Sequence, residues 1–182
     1  MKRRSSLFPT LLAVAAVSML AHPFGVAAGN SEDMAVKFIL ETVKAFRTVY
    51  SKGVIEEARK SGITPSENWK ADDHSIMLNA QFVKAAGAEI KEFELGLIGL
   101  TPLYKSNLPK TKAETDALNQ MAQNPELKVL TFADGNQFKG LTADYAIVQG
   151  CADCHNTHPN STRKNFRQGD LMGAIVVRIN RN

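Results

Sequence analysis

The chain has 182 residues, 22 of them Lys or Arg and 18 Asp or Glu, for a formal charge of +4. Residues 1–28 hold Lys2, Arg3 and Arg4 and no acidic residue, so the balance without them is about +1 and charge gives no argument for nucleic-acid binding. Two cysteines are too few for an iron–sulfur cluster, which needs more thiolates.

In chain order, the three basic residues precede an apolar run over 7–21 and small residues ending at Ala27 and Ala28, the pattern of an export signal. The run is short for a transmembrane helix, and no cysteine follows it that could carry a lipoprotein anchor. Cleavage before Gly29 is expected to leave residues 29–182 as a single periplasmic domain without a stable membrane span; an uncleaved signal serving as anchor is the alternative.

Over residues 31–60, Ala35, Phe38, Ile39, Val43, Phe46, Val49, Tyr50 and Val54 recur at helical spacing, which predicts one long amphipathic helix closed by Ser61-Gly62. Its length points to packing against a partner chain, and a homodimer through this helix is expected. A polar loop over 64–75, holding Pro65, Trp69 and His74, leads to a second helix predicted over 77–91. Residues 93–100 read as a strand ended by Thr101-Pro102. Thr111 and Glu114 form a capping box that opens a helix running to Asn124-Pro125. Residues 127–132 and 137–148 make a hairpin around Asp134-Gly135, with a loop longer than two residues, and Leu171, Gly173, Ile175, Val177 and Ile179 alternate as a last strand. This order predicts an α+β fold, an antiparallel sheet with helices on one side.

The stretch "IVQGCADCHNTHPNS", residues 147–161, contains both cysteines. A disulfide between Cys151 and Cys154 would close so small a loop that it would restrain the unfolded chain little. Cys151, Cys154, His155 and His158 could together bind zinc, but ligands drawn from so short a segment are cramped, whereas structural zinc sites join separated pairs. A thioredoxin-like redox pair belongs at a helix start, and Asn156, Pro159, Asn160 and Ser161 are predicted to make a loop here. The haem reading uses every residue: on a tight turn each thiol adds to one vinyl group and His155 follows beneath the ring as proximal iron ligand. Such attachment takes place outside the cytoplasm, in agreement with the export signal.

With "LTPLYKSNLP", "ETDALNQM", "CADCHNTHP" and "GDLMGAIVVRI", the stretch over 93–179 resembles the c-type haem proteins of PAS-like fold, which occur as free periplasmic cytochromes and as extracytoplasmic sensor domains. The resemblance covers the C-terminal half well and the N-terminal helices in outline. It implies one haem c against a face of the sheet, anchored by Cys151 and Cys154 with His155 below the iron, and no catalytic apparatus of the usual enzymatic kind. It also implies a sixth ligand near the start of the helix before the first strand, which by count falls at Met77, with His74 as the alternative. His158, Arg163 and Arg167, with Lys164, are candidates to pair with the haem propionates, because carboxylates buried without compensation are costly. Trp69 could stack at the haem edge.

Two functions follow as expectations. The first is a monohaem cytochrome passing single electrons between periplasmic redox partners. The second is a haem-based sensor of redox state or a small gas. No output domain stands in this sequence, which favours the carrier. Peroxidase-like activity ranks last, since no distal acid–base pair is visible.

Overall fold

The computed structural model describes residues 28–181, with side chains from Ser31 onward. The export signal expected over 1–28 thus lies outside the described residues, apart from Ala28. No described helix is long and apolar enough to cross a membrane.

The long helix forms as predicted but is not uniform. Helix α1 (Ala28–Val49) passes through one π-helical turn (Tyr50–Ile55) into the short α2 (Glu56–Lys60). A Schellman motif ends it: Ile63 N–H donates to Ala58 O at 3.0 Å and Gly62 N–H to Arg59 O at 3.1 Å. Gly62 has φ +78°, which only glycine adopts without cost.

The polar loop is replaced by two short parallel strands, β1 (Thr64–Ser66) and β2 (Ser75–Met77), which their three-residue length hides from any periodicity. Helix α3 (Asn79–Glu89) then leads to β3 (Glu94–Ile98), and α4 (Lys112–Gln123) to β4 (Val129–Asp134) and β5 (Gln137–Tyr145). Helix α5 (Gln149–Thr157) and β6 (Leu171–Asn180) complete the order. Four strands form one antiparallel sheet in the order β3-β6-β5-β4. The β4–β5 loop is tighter than predicted: Asp134 pairs with Gln137, leaving Gly135 and Asn136 between them, and Gly135 has the positive φ, +61°, that the first position of a primed hairpin turn requires.

Helices flank both faces of the sheet, which corrects the expectation of one side. On one face α1 and α3 place Val36, Leu40 and Val83 against Leu95, Phe138, Ile175 and Val177; on the other α4 places Ala117, Leu118 and Met121 against Leu141, Ala174 and Val176. The reason lies in β6, where consecutive residues 174–177 are all apolar, so both faces need cover. Helix α1 approaches closest at Gly140, where an added Cβ would stand 2.2 Å from Val36 Cγ1 and 3.0 Å from Leu40 Cδ1. Gly140→Ala is therefore expected to lose about 1–3 kcal/mol through overpacking. An unchanged urea midpoint would show that α1 is not seated so tightly.

The apolar residues read from the sequence over α1 omit its two fully buried ones and include three large ones that are exposed. Val36 and Leu40 are buried, whereas Phe38, Phe46 and Val49 are 66%, 62% and 64% exposed. Along the buried stripe stand Arg47 and Ser51, polar residues that are themselves buried.

The capping box is half present. Thr111 Oγ1 accepts from Glu114 N–H at 3.3 Å, but the Glu114 carboxylate does not reach back to Thr111. It is fully buried, accepting from Lys139 Nζ at 2.8 Å, from Arg178 Nε and Nη2 at 2.7 and 2.8 Å, and from the Lys110 N–H at 2.8 Å.

Candidate cofactor site

Cys151, Cys154 and His155 stand on a helix, not on the predicted tight turn, and Asn156 belongs to it rather than to the loop. Helix α5 stops at His158, whose extended backbone follows from the proline after it: the Pro159 ring excludes the helical conformation for the preceding residue. Helical spacing sets positions 151, 154 and 155 on one face. The other side is fixed by Ala152, fully buried with Ala146 and Phe166. Asn156 locks that arrangement, donating from Nδ2 to Phe166 O at 2.9 Å and accepting at Oδ1 from Phe166 N–H at 2.8 Å. The Phe166 ring meets His155 edge-on with centroids 5.6 Å apart, which orients the imidazole.

The three residues line a cavity of about 590 Å³, a volume typical of small-molecule sites. It lies at one end of the sheet, lined by Ile98 at the end of β3 with Gly99 just beyond, by Asp144 near the end of β5, and by Met172 and Gly173 near the start of β6. A bulge between β5 and β6 beside Asp144 breaks the register there, and bulges of this kind redirect side chains at functional sites. Gly173 has no room for a Cβ, which would come within 2.2 Å of Ile98 O.

A second wall comes from the long helix. Arg47, Ser51, Ile55 and Arg59 all line the cavity at four-residue intervals. In a regular α-helix such spacing drifts steadily round the axis. The π turn over Tyr50–Ile55, with its wider turn, takes up the drift and keeps the four on one face. Leu78 and Asn79 at the start of α3 complete this wall.

Arg47 Nη1 pairs with Asp144 Oδ1 at 2.8 Å, with side chains 7% and 12% exposed. Burial raises the Asp144 carboxyl above the usual range against the opposing pull of Arg47 and Lys44. Burial also lowers the His155 pKa, helped by His158 and Arg47, which favours the neutral imidazole that a metal ligand requires. The Cys154 thiol is raised, first by burial and then by the charges of Glu67 and Cys151 against the pull of Arg59. A thiol so placed lacks the lowered pKa of a catalytic redox pair. Cys151 and Cys154 are free rather than disulfide-bonded, and no group of three His, Cys, Asp or Glu residues able to hold a metal occurs among the described residues.

A family model described as Tll0287-like matches residues 28–180, nearly the whole described chain. The chain belongs to the Tll0287-like family. The crystal structure of the cyanobacterial haem-protein Tll0287 is similar to it with a TM-score of 0.55 at 18% identity, over 84% of this chain and 96% of that one. The likeness shows a common fold, a mixed α+β domain with a long N-terminal helix and an antiparallel sheet. No curated protein matches the chain.

In this Tll0287-like chain the other sequence candidates stand apart from the cavity wall. Met77 closes β2 instead of opening a helix, its carbonyl accepting from Tyr50 Oη–H at 2.9 Å, and it is not among the lining residues. His74 is exposed in a left-handed turn with φ +53° and is not among them either. His158 does not line the cavity but touches two residues that do: Nδ1 accepts from Asn160 N–H at 3.1 Å, and Nε2 lies 3.5 Å from Glu67 Oε1 and 3.4 Å from Tyr104 Oη. Arg163 pairs with Asp170 at 2.5 Å and stacks on Phe166; Arg167 is exposed, and neither lines the cavity. Lys164 Nζ binds the carbonyl of His158, and Trp69 packs below Lys70, both away from the lining. Sequence reading missed Arg47, Arg59, Asn79 and Asp144. The available signal was Arg47 itself, a charge inside the buried stripe of an amphipathic helix.

Proposed function

We propose that the chain is a periplasmic c-type haem protein, with one haem attached through Cys151 and Cys154, His155 as proximal ligand, and one-electron transfer as its work. The observation that carries this reading is the arrangement of α5, which turns two thiols and a neutral imidazole from one helix face into one cavity. Membership of a family whose cyanobacterial relative is a haem-protein supports it.

The cavity also fits the group chemically. Arg47 Nε belongs to its lining and is buried without a hydrogen-bond partner, a donor that a bound carboxylate would satisfy. Arg59 lies at its edge, its guanidinium so close over Gly150 that a Cβ there would sit 2.4 Å from Nη1. With 40% of its side chain exposed and Glu56 as a partner only at 3.6 Å, Arg59 is better set to pair with a propionate than Arg163, which Asp170 already holds. Bound haem supplies an iron that gains and loses one electron. The chain supplies tether, ligand and counter-charge, and we read it as a carrier rather than an enzyme. Its partners are redox proteins, and a second copy packs on the exposed stripe of Phe38, Phe46 and Val49.

The test is protein made in cells with an intact haem-attachment system. Expected are one covalent haem per chain by pyridine haemochrome and a one-electron wave in voltammetry. Absence of covalent haem rejects the reading. Phe38→Glu with Phe46→Glu is expected to convert a dimer to a monomer in sedimentation; a wild-type monomer rejects the second copy.

A further inference from the structure

Strand β3 forms one edge of the four-stranded sheet. An edge presents unpaired N–H and C=O groups, which proteins normally cover. Which groups of β3 face outward follows from its neighbours. The Leu95 carbonyl approaches α3, where a Cβ on Gly87 would stand 2.6 Å from it, whereas the Ile98 carbonyl approaches β6, where a Cβ on Gly173 would stand 2.2 Å away. Gly99 N–H donates to Asn107 O at 2.9 Å. In an antiparallel strand both backbone groups of a residue point to one side, and the side alternates along the chain. Leu95, Leu97 and Gly99 therefore face away from β6, and Gly96 and Ile98 face toward it.

The outward groups are not covered alike. Helix α3 lies against the Leu95 carbonyl, and the 3-10 turn Lys105–Asn107 takes Gly99 N–H. Leu97 stands between them, and among the described residues its N–H and C=O make no backbone bond beyond the sheet. A cavity of about 300 Å³ opens there, lined by Gly96 and Leu97, by Lys84 and Gly87 on α3, and by Ser106 and Asn107. Its charged lining is Lys84, Lys110, Arg178 and Glu94, three cations to one carboxylate. Glu94 holds Lys110 and Arg178. Lys84 is exposed and has no hydrogen bond or ion pair among the described residues. Lys84, Leu97, Ser106 and Asn107 also line the cofactor cavity, so the two cavities share a wall.

We propose that this cavity takes an extended acidic segment of a partner protein, which pairs with Leu97 through one rung of strand hydrogen bonding and sets a carboxylate against Lys84. Leu97 N–H donates to a peptide carbonyl of the segment, and Leu97 C=O accepts from a peptide N–H. From Leu95 to Gly99 the edge spans about 13 Å, room for a short extended segment rather than a full strand. The excess of cations in the lining selects an acidic segment over a basic one. The shared wall sets the bound partner beside the cofactor cavity, but the pairing stands on the sheet edge and does not depend on the haem reading.

The probe is a blocked pentapeptide of alternating valine and aspartate, added to the full, haem-loaded chain. Comparisons are the same peptide methylated at its backbone nitrogens and one of alternating valine and lysine. Binding is followed by fluorescence anisotropy of the labelled peptide and by hydrogen exchange resolved to the Leu97 amide. Free protein is expected to exchange Leu97 faster than Gly96 and Ile98, which the β6 ladder protects. The aspartate peptide is expected to bind and to slow Leu97, and methylation to weaken it about fivefold or more. Lys84→Glu is expected to weaken the aspartate peptide about threefold and to strengthen the lysine peptide. Lys128→Glu, beside β4 at the opposite edge, makes the same charge change and should alter neither. An aspartate peptide that does not bind overturns the proposal, as does one that binds without slowing Leu97 or without responding to Lys84→Glu. Leu97 protected in concentrated protein and released on dilution also overturns it, because a second copy would then occupy the edge.

Discussion

Glu114→Gln is expected to lower the free energy of unfolding by about 3–5 kcal/mol at neutral pH, the loss that follows when one partner of a buried charge network is removed. Glu114 is 0% exposed and joins Lys139, 2% exposed, to Arg178, 3% exposed. A neutral amide removes the buried carboxylate the two cations share and leaves Lys139 with only Asp134 and Arg178 with only Glu94, both partly exposed. Exchange of all three for apolar residues of similar volume should cost far less, since the penalty lies in the unpaired charge rather than in lost attraction. Urea unfolding of the single and triple variants checks both; a single variant that loses under about 1 kcal/mol shows that water reaches the network.

The same network sets an acid limit. Burial alone would raise the Glu114 pKa, but hydrogen bonds from Arg178, Lys139 and the Lys110 N–H prevail and hold it at about 2, below its ordinary 4.5. A depressed folded pKa contributes stability that is complete above the unfolded value and lost as pH falls through the folded one. Stability is therefore expected to fall between about pH 4.5 and about pH 2, and Glu114→Gln should flatten that part of the profile. A variant with the wild-type slope would assign the acid sensitivity to other carboxylates.

The largest functional effect is expected at α5. Cys151→Ala with Cys154→Ala should leave no haem in the protein after acid–acetone extraction, whereas wild type retains it. The fold should survive, because both thiols are only half-buried and neither is disulfide-bonded. His155→Ala should keep the covalent haem yet lose the wild-type ferric spectrum, separating tether from ligand. Haem retained by the double variant would mean that the thiols are not the anchors. Unfolding of the double variant by circular dichroism would mean instead that they serve the core.

Elements set by periodicity or by one decisive residue were legible in the sequence: the long helix, β6, the Thr111 cap and the Gly135 turn. The short β1 and β2 were not, because three residues carry no period. The motif around Cys151 and His155 identified one wall of the cavity, since its residues lie close in sequence. The wall built by the long helix was illegible for the converse reason. Arg47 and Asp144 meet only after α1 packs on β5, and only the buried setting distinguishes their pairing from any surface ion pair. The helical form of α5 was missed because Pro159 and Asn160 drew the boundary too early; the proline ends the helix at the residue before it and does not disturb Cys154 or His155.

The π turn makes the segment from Arg47 to Arg59 a ruler. Its wider winding is what brings both ends to one cavity, so its residue count is as fixed a property of the protein as the gap between the two cysteines. Deleting one residue there would restore a regular helix of nearly the same stability and swing the Arg59 end away by about a quarter of a turn. Such a chain would keep its fold and its tether and lose the edge of its pocket, a lesion that no measure of overall stability would reveal.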